Sequence, residues 1–479
     1  LGGRGALRES GKILGFPADE IGRFSRVIRS LKSFLANPEE RPEAALLPWK
    51  NPVFRNWLKH AARLEDLPTH FSLHAGGVVI APEHLYRFTA TQPSSKGIPM
   101  TQMEMRGIEA VGLVKIDLLA QRSLGVFADL EVHLKSEKCM PPILDDVEAL
   151  AAEPAVKEAL RQGQTMGVFY IESPGMRSLL KKLDCQGFLG LTAASSVIRP
   201  GVAESGMMQA YIDRHRDSRR VPTLHPILER LLAETHGVMV YQEDVIRVAH
   251  EMGGLSLAEG DLLRRAMSGK YRSDDAMQAV RQRFLTGALA RSVSEELAAD
   301  VWRQMESFSG YAFCKAHSAS YAVLSMQLLW LKCHYPARFM AGVLDNRGGF
   351  YGTYAYVGEA RRLGCVVRVP NLYKSHWNCV SWEKTIVLGF SFCRQVRRET
   401  VERLVAERDQ SRFADPVDFL DRVRPDEDEL NSMINSGALT ELAHPPAWRW
   451  VQKLHAANRN SLFSTPVSIP VLAQKPLSA

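Results

Sequence analysis

The sequence predicts an α+β protein that is mostly helical. Across residues 20–66 and 126–345, apolar positions recur with the 3.6-residue period of amphipathic helices. Two short stretches, His74–Pro82 and Val111–Leu119, are rich in β-branched residues and read as strands, and short strands return between Cys365 and Gly389. At 46% hydrophobic and 24% charged residues, the composition is ordinary for a folded chain and excludes wholesale disorder. The 479 residues suffice for roughly two to four domains.

Taken in order, GALRESGKILGF reads as a helix already under way, with Leu7 and Leu14 on one side and Gly15 as its stop. Leu1 is not Met, and no apolar signal-peptide core follows it. The expectation is that the chain begins inside a domain, with sequence missing upstream. Ile21–Leu35 and Phe54–Leu64 predict helices, separated by a loop, Asn37–Asn51, rich in Pro, Glu and Asn. His74-Ala-Gly-Gly-Val-Val-Ile-Ala-Pro82 is a glycine turn running into a strand. A loop with Pro93, Ser94, Ser95 and Gly97 leads to the strand Val111-Gly-Leu-Val-Lys-Ile-Asp-Leu-Leu119, so residues 70–120 form a small sheet-containing unit. The helices from 126 to 345 are punctuated by Ser173-Pro-Gly175 and Arg199-Pro-Gly201. An Arg-rich helical stretch follows Gly389, and the last residues, with Pro466, Pro470 and Pro476, read as a frayed tail.

The densest apolar run, Tyr321–Cys333, is broken by Ser325, Gln327 and Lys332, which argues against a transmembrane span and a membrane partner. Seven cysteines (139, 185, 314, 333, 365, 379 and 393) are an odd number at wide spacing. That is neither a disulfide framework nor a zinc pattern, and a cytoplasmic location is expected. The net charge of +7 matters only where basic residues cluster. A phosphate loop, GxGxxG, GxSxG, HExxH and CxxC are all absent from the sequence.

Three local features could carry chemistry. Strand periodicity points Val114, Ile116 and Leu118 one way and Leu113, Lys115 and Asp117 the other. A cation and a carboxylate thus emerge side by side from a sheet with an apolar back. A carboxylate on a rigid strand suits a divalent cation, while spacing alone favours a solvated ion pair on a half-exposed strand. Next, Ser256 and Glu259 form a capping box that starts a helix with Leu263, Ala266 and Met267 inward. Arg264 and Arg265 lie on its polar flank, near Lys270 and Arg272. Paired guanidinium groups suit a polyphosphate, while a wet basic face remains the alternative. Third, Lys315 and His317 sit at the start of a helix with Ser318 placed to cap, where an anion is favoured, though a histidine near a cap is often structural. Arg214, Arg216, Arg219 and Arg220, and the stretch Arg394 to Arg412 with Arg397 and Arg398, are clusters able to track phosphates; a solvated surface also accounts for each.

Seven blocks together resemble the catalytic alpha subunits of bacterial DNA polymerase III, the C-family replicative polymerases. They are HAGGVVIAP (74–82), GLVKIDLLAQRSL (112–124), VFYIESPGMRSLLKKL (168–183), IRPG with SGMM (198–208), GVMVYQEDVIRVA (237–249), DLLRRAM (261–267) and FCKAHSASYAVLSMQLLWLKCHYPARFMA (313–341). They follow the family's order and approximate spacing from near residue 4 to about 440. The resemblance implies a partial polymerase-beta-like nucleotidyltransferase palm with a helical thumb and large helical fingers. It implies residues 1–20 as the end of a first palm segment, 21–70 as thumb, 71–125 as second palm segment and 126–385 as fingers. Residues 386–479 would be a degenerate helix-hairpin-helix, a DNA-binding region and tail.

The resemblance further implies that Asp117 is one of three palm aspartates holding two Mg²⁺, with the others upstream of Leu1. Lys115 would approach the nucleotide phosphates. Arg264 and Arg265, with Lys315 and His317, would bind the nucleotide, and the two basic clusters would bind DNA. The implied reaction is attack of a primer 3′-hydroxyl on a dNTP, with primer-template DNA and dNTP as partners, and a sliding clamp and other replicase subunits joining the full-length protein. The chain departs from the family in lacking a PDFDxD-like segment and the N-terminal phosphoesterase-like domain. It also replaces the hairpin glycines with Gln395 to Arg398, where Arg394, Arg397 and Arg398 can substitute by charge. The leading expectation is a polymerase chain inactive alone. The alternatives are a non-catalytic DNA-binding paralogue and an error-prone polymerase of the same family used in damage synthesis.

Overall fold

The chain divides into two units, Leu1–Ala120 and Gln121–Ala479. The computed structural model describes residues 1–28, 31–136, 142–198, 206–217, 219, 225–267, 274–307, 314–347 and 349–459. The expected mixture is present: mostly helix, with a few short strands. Cys139, Arg220, Lys270, Arg272, the Arg199-Pro-Gly201 turn and the tail beyond 459 lie outside the described residues.

In the first unit, helices Gly3–Ile13, Ala18–Val27, Leu31–Ala36 and Pro52–Leu64 enclose one core. Trp57 is fully buried at its centre, with Phe24 and Phe54 edge-on to it. Its indole N–H is satisfied, donating to Leu7 O and Ser10 Oγ at 3.0 Å each. Asn51 caps the last of these helices by accepting from Val53 N at 2.8 Å, and Pro52 occupies the first turn, where its missing N–H costs nothing. As expected, the first helix stops before Gly15, whose φ of +77° suits glycine.

Strands β1 (Gly77–Ile80) and β4 (Val114–Asp117) pair antiparallel. Between them β2 (Thr91–Pro93) and β3 (Pro99–Thr101) form a hairpin whose turn is the loop expected there, flanked by two short strands that were not expected. Three-residue strands, one ending and the other starting in proline, give too little alternation to be read, and the turn is closed by Ser94 Oγ, which accepts from the amides of Lys96 and Ile98.

The second unit is built around the helix Lys315–His334, which packs against Phe188–Val197. The three residues that interrupt its apolar run are each satisfied. Ser325 Oγ donates to Tyr321 O and Phe169 O, and Gln327 Nε2 donates to Leu144 O at 2.8 Å. Lys332, 2% exposed, sends its ammonium to Glu359 at 2.6 Å and to the carbonyls of Gln164 and Met166. Glu359 is shared with Arg362. Ser318 does not cap this helix: it lies within it, fully buried, and accepts from Ser196 Oγ at 2.7 Å. The cap is Cys314, whose Sγ accepts from His317 N.

A three-stranded sheet follows, ordered β5 (Val366–Arg368), β7 (Thr385–Val387), β6 (Val380–Trp382), with β5 parallel and β6 antiparallel to β7. Helices Arg398–Gln410, Pro416–Val423, Glu427–Asn435 and Pro445–Arg459 surround a separate core of Phe390, Phe413, Phe419 and Trp448. Among the described residues, no helix is long and apolar enough to cross a membrane, and the six described cysteines are unpaired.

Candidate active site and nucleic-acid interface

The β1–β4 register sets Gly77 opposite Asp117 and Val79 opposite Lys115. The expected alternation holds, but burial runs the other way from a buried apolar back. Val78, Ile80, Val114 and Ile116 are 42–57% exposed, while the Lys115 side chain is only 18% exposed. Period two fixes which residues share a face; it does not fix which face the rest of the unit covers. Here the covered face is the polar one. It opens into a cleft of about 580 Å³ whose walls include Leu85, Ile98, Met100, Met103 and Ile108.

Lys115 Nζ lies 2.5 Å from Asp117 Oδ1, and His74 Nδ1 lies 3.5 Å from the same oxygen. The Lys115 hydrogen bond holds the Asp117 pKa below its ordinary 3.8 against the opposing effect of burial, with His74 adding attraction. Asp117 is therefore an ionised, half-exposed carboxylate at neutral pH. Gly76, just before β1, and Gly77, its first residue, make this possible. Gly76 O accepts from Leu118 N at 2.7 Å, and a Cβ at Gly76 would lie 2.5 Å from Leu118 O. A Cβ at Gly77 would lie between His74 Nδ1 and Lys115 Cε.

The remaining candidates belong to the second unit. Ser256 and Glu259 form the expected reciprocal capping box at the start of Leu257–Met267, the helix that carries Arg264 and Arg265, and Leu263 is buried as expected. Lys315 and His317 do lie in the first turn of their helix. Lys315 is already engaged: its ammonium is 2.5 Å from Glu234, its amide donates to Glu243, and the ammonium stands over the Tyr241 ring. His317 packs on Tyr321 at 4.2 Å between ring centroids.

Much of the basic charge is likewise committed. Arg214 donates to Gly237 O at 2.9 Å and Arg216 to Lys182 O at 2.6 Å, while Arg219 pairs with Asp217. Arg397 is bound to Glu429 and Asp426 at 3.0 and 2.9 Å, and Arg398 pairs with Glu402. Arg394 is exposed and has no hydrogen-bond or ion-pair partner among the described residues.

Sequence reading missed His74, Glu234 and Glu429 as members of these sites. His74 was within reach, because it stands three residues before the glycine opposite Asp117. Glu234 and Glu429 lie 81 and 32 residues from the cations they bind, and no local pattern links them.

Three family models match the chain. Residues 1–120 match the bacterial DNA polymerase III alpha NTPase domain, 144–292 the bacterial DNA polymerase III alpha subunit finger domain, and 364–446 the helix-hairpin-helix motif. The first match spans the same residues as the first unit. DNA polymerase III subunit alpha of Staphylococcus epidermidis strain RP62A is 32% identical over 424 residues, covering 88% of this chain. The same protein of Staphylococcus aureus strains Mu50 and N315 is 33% identical over the same length. The chain spans 39% of each of these relatives.

Proposed function

Because the chain belongs to the bacterial DNA polymerase III alpha family, we propose that it is part of a DNA-directed DNA polymerase that adds dNMP to a primer 3′-hydroxyl. The observation that carries this reading is the Lys115–Asp117 pair, set on one strand and facing a cleft. On this reading residues 1–20 and 71–125 are palm, 21–70 thumb, 126–385 fingers and 386–479 DNA-binding region and tail.

Asp117 has the chemistry of one magnesium ligand, an ionised hard oxygen held on a strand. Among the described residues there is no group of three or more His, Cys, Asp or Glu able to hold a metal ion. These residues alone therefore do not make a two-ion site, and the further carboxylates are proposed to lie upstream of Leu1. Lys115 neutralises Asp117 and offers its ammonium to a phosphate. Arg264 and Arg265 offer guanidinium forks to a triphosphate, and Lys315 and His317 stand at a helix start that favours an anion. Arg394 and Arg398 supply exposed charge to DNA, with Arg219 as a lesser contributor. Magnesium, dNTP, primer-template DNA, a sliding clamp and further replicase subunits are the partners of the whole protein on this reading.

Primer extension tests it. Protein spanning the length of the relatives should extend a primer, and Asp117→Asn should abolish extension while leaving primer-template binding nearly intact. The 479 residues alone should be inert. Retained synthesis in Asp117→Asn would overturn the assignment. A second reading is a non-catalytic DNA-binding relative. It predicts primer-template binding without extension at either length.

A further inference from the structure

The helix-hairpin-helix region contains an anion of its own. Gln395 adopts φ +64° in the turn before the helix Arg398–Gln410, the left-handed geometry that a hairpin glycine usually supplies. The turn is therefore formed although its glycines are gone. Arg397 is the N-cap of that helix, so its amide and those after it point out of a helix start, where a phosphate oxygen would be welcome.

That position is filled from within. Glu429 Oε1 accepts from Arg397 N at 2.9 Å and from Arg397 Nε at 3.2 Å, and Glu429 Oε2 accepts from Arg397 Nη2 at 3.0 Å. The same carboxylate accepts from Asp426 N at 2.9 Å, closing the capping box of its own helix, Glu427–Asn435, and Thr400 adds a side-chain hydrogen bond. Glu429 is fully buried. Burial alone would raise its pKa, but the bonds from Arg397, Asp426 and Thr400 bring it down to about 2, so it is ionised at neutral pH. A buried carboxylate with donors from two helix starts and a guanidinium fork is saturated.

We propose that Glu429 stands in for a nucleic-acid phosphate at this hairpin, an autoinhibitory contact that holds the turn Cys393–Arg397 closed against DNA and leaves the grip on a duplex to Arg394 and Arg398. The proposal rests on DNA being the partner. It goes beyond that reading by removing Arg397 and the hairpin amides from the interface and by naming the residue that displaces them.

The test is binding of the 479-residue chain to a fluorescent primer-template duplex as salt is varied. Glu429→Gln keeps the shape of the side chain and removes the competing charge. It should bind several-fold more tightly, and its log–log salt slope should steepen by about 0.9, the increment for one more phosphate. Unchanged or weaker binding by Glu429→Gln, with melting intact, overturns the proposal. Arg397→Ala gives a second measure should Glu429→Gln not fold. An unchanged slope supports the closed hairpin, and a slope shallower by about 0.9 overturns it. If the wild-type chain does not bind the duplex, the DNA reading fails on its own; binding that emerges in Glu429→Gln still supports the closed hairpin, and none overturns it.

Discussion

Gly77 faces Asp117 directly across the β1–β4 ladder, and a methyl group at position 77 would come within 2.9 Å of His74 Nδ1 and 3.0 Å of Lys115 Cε. Both of those atoms belong to flexible side chains that can yield. Gly77→Ala should therefore cost under about 1 kcal/mol of stability while displacing Lys115 from Asp117. The Asp117 pKa should then rise toward 3.8. Carboxyl-carbon NMR titration of Asp117 checks the site, and urea unfolding checks the fold.

Gly76→Ala should behave differently, because the obstructing atom is the backbone oxygen of Leu118 at 2.5 Å. The strand end must move, at a cost of about 1–3 kcal/mol. Hydrogen exchange is the direct measurement. The Leu118 amide, bonded to Gly76 O, should lose protection in Gly76→Ala and keep it in Gly77→Ala.

Acid should weaken the second unit through two carboxylates. Glu359 and Glu429 have pKa values lowered from 4.5 to about 2 in the folded chain: burial opposes the shift, and hydrogen bonds from Arg362 and Lys332, and from Arg397, outweigh it. A depressed folded-state pKa gives stabilisation that is complete above the unfolded value and is lost as pH falls through the folded one. The loss should therefore fall between about pH 4.5 and pH 2, and Glu359→Gln should flatten it. Removing the partner instead, Lys332→Ala, should cost about 3–5 kcal/mol at neutral pH, seen in thermal melts.

Arg394→Ala and Arg398→Ala should each make the salt dependence of primer-template affinity shallower by about 0.9, with no change in sequence preference. Fluorescence anisotropy across a salt series is the measurement. Slopes identical to wild type in both variants would remove these arginines from the interface.

For protein spanning the relatives' full length, Arg264→Ala or Arg265→Ala should raise KM for dNTP and depress kcat, with a non-additive double variant because both act on one triphosphate. Arg→Lys should rescue only partly, since an ammonium keeps the charge and loses the fork. Steady-state kinetics checks this, and affinity for primer-template without nucleotide should barely move.

What could be read from the sequence were patterns local to one element. The alternation of β4, the capping box of Ser256 and Glu259 and the stop at Gly15 each depend on neighbours within a few residues. The covered face of β4 was not legible, because it depends on Leu85, Ile98 and Met103 arriving from elsewhere. Ser318 was misplaced as a cap because a serine in the first turn fits either role, and the partner that decides it, Ser196, is 122 residues away. Glu429 shows the same limit, since its position in a capping box is readable and its grip on Arg397 is not.

The hydroxyl pair Ser196–Ser318 has one more consequence. Stepping the helix Lys315–His334 forward by a single residue would rotate it by about 100° and shift it about 1.5 Å, carrying Ser318 out of reach of Ser196 and turning an oily flank onto a buried oxygen. The pair therefore works as an indexing pin that sets the azimuth of the helix. Lys315 and His317 leave the same helix within one turn of that pin, so their aim is fixed from inside the protein, by two serines that carry no charge.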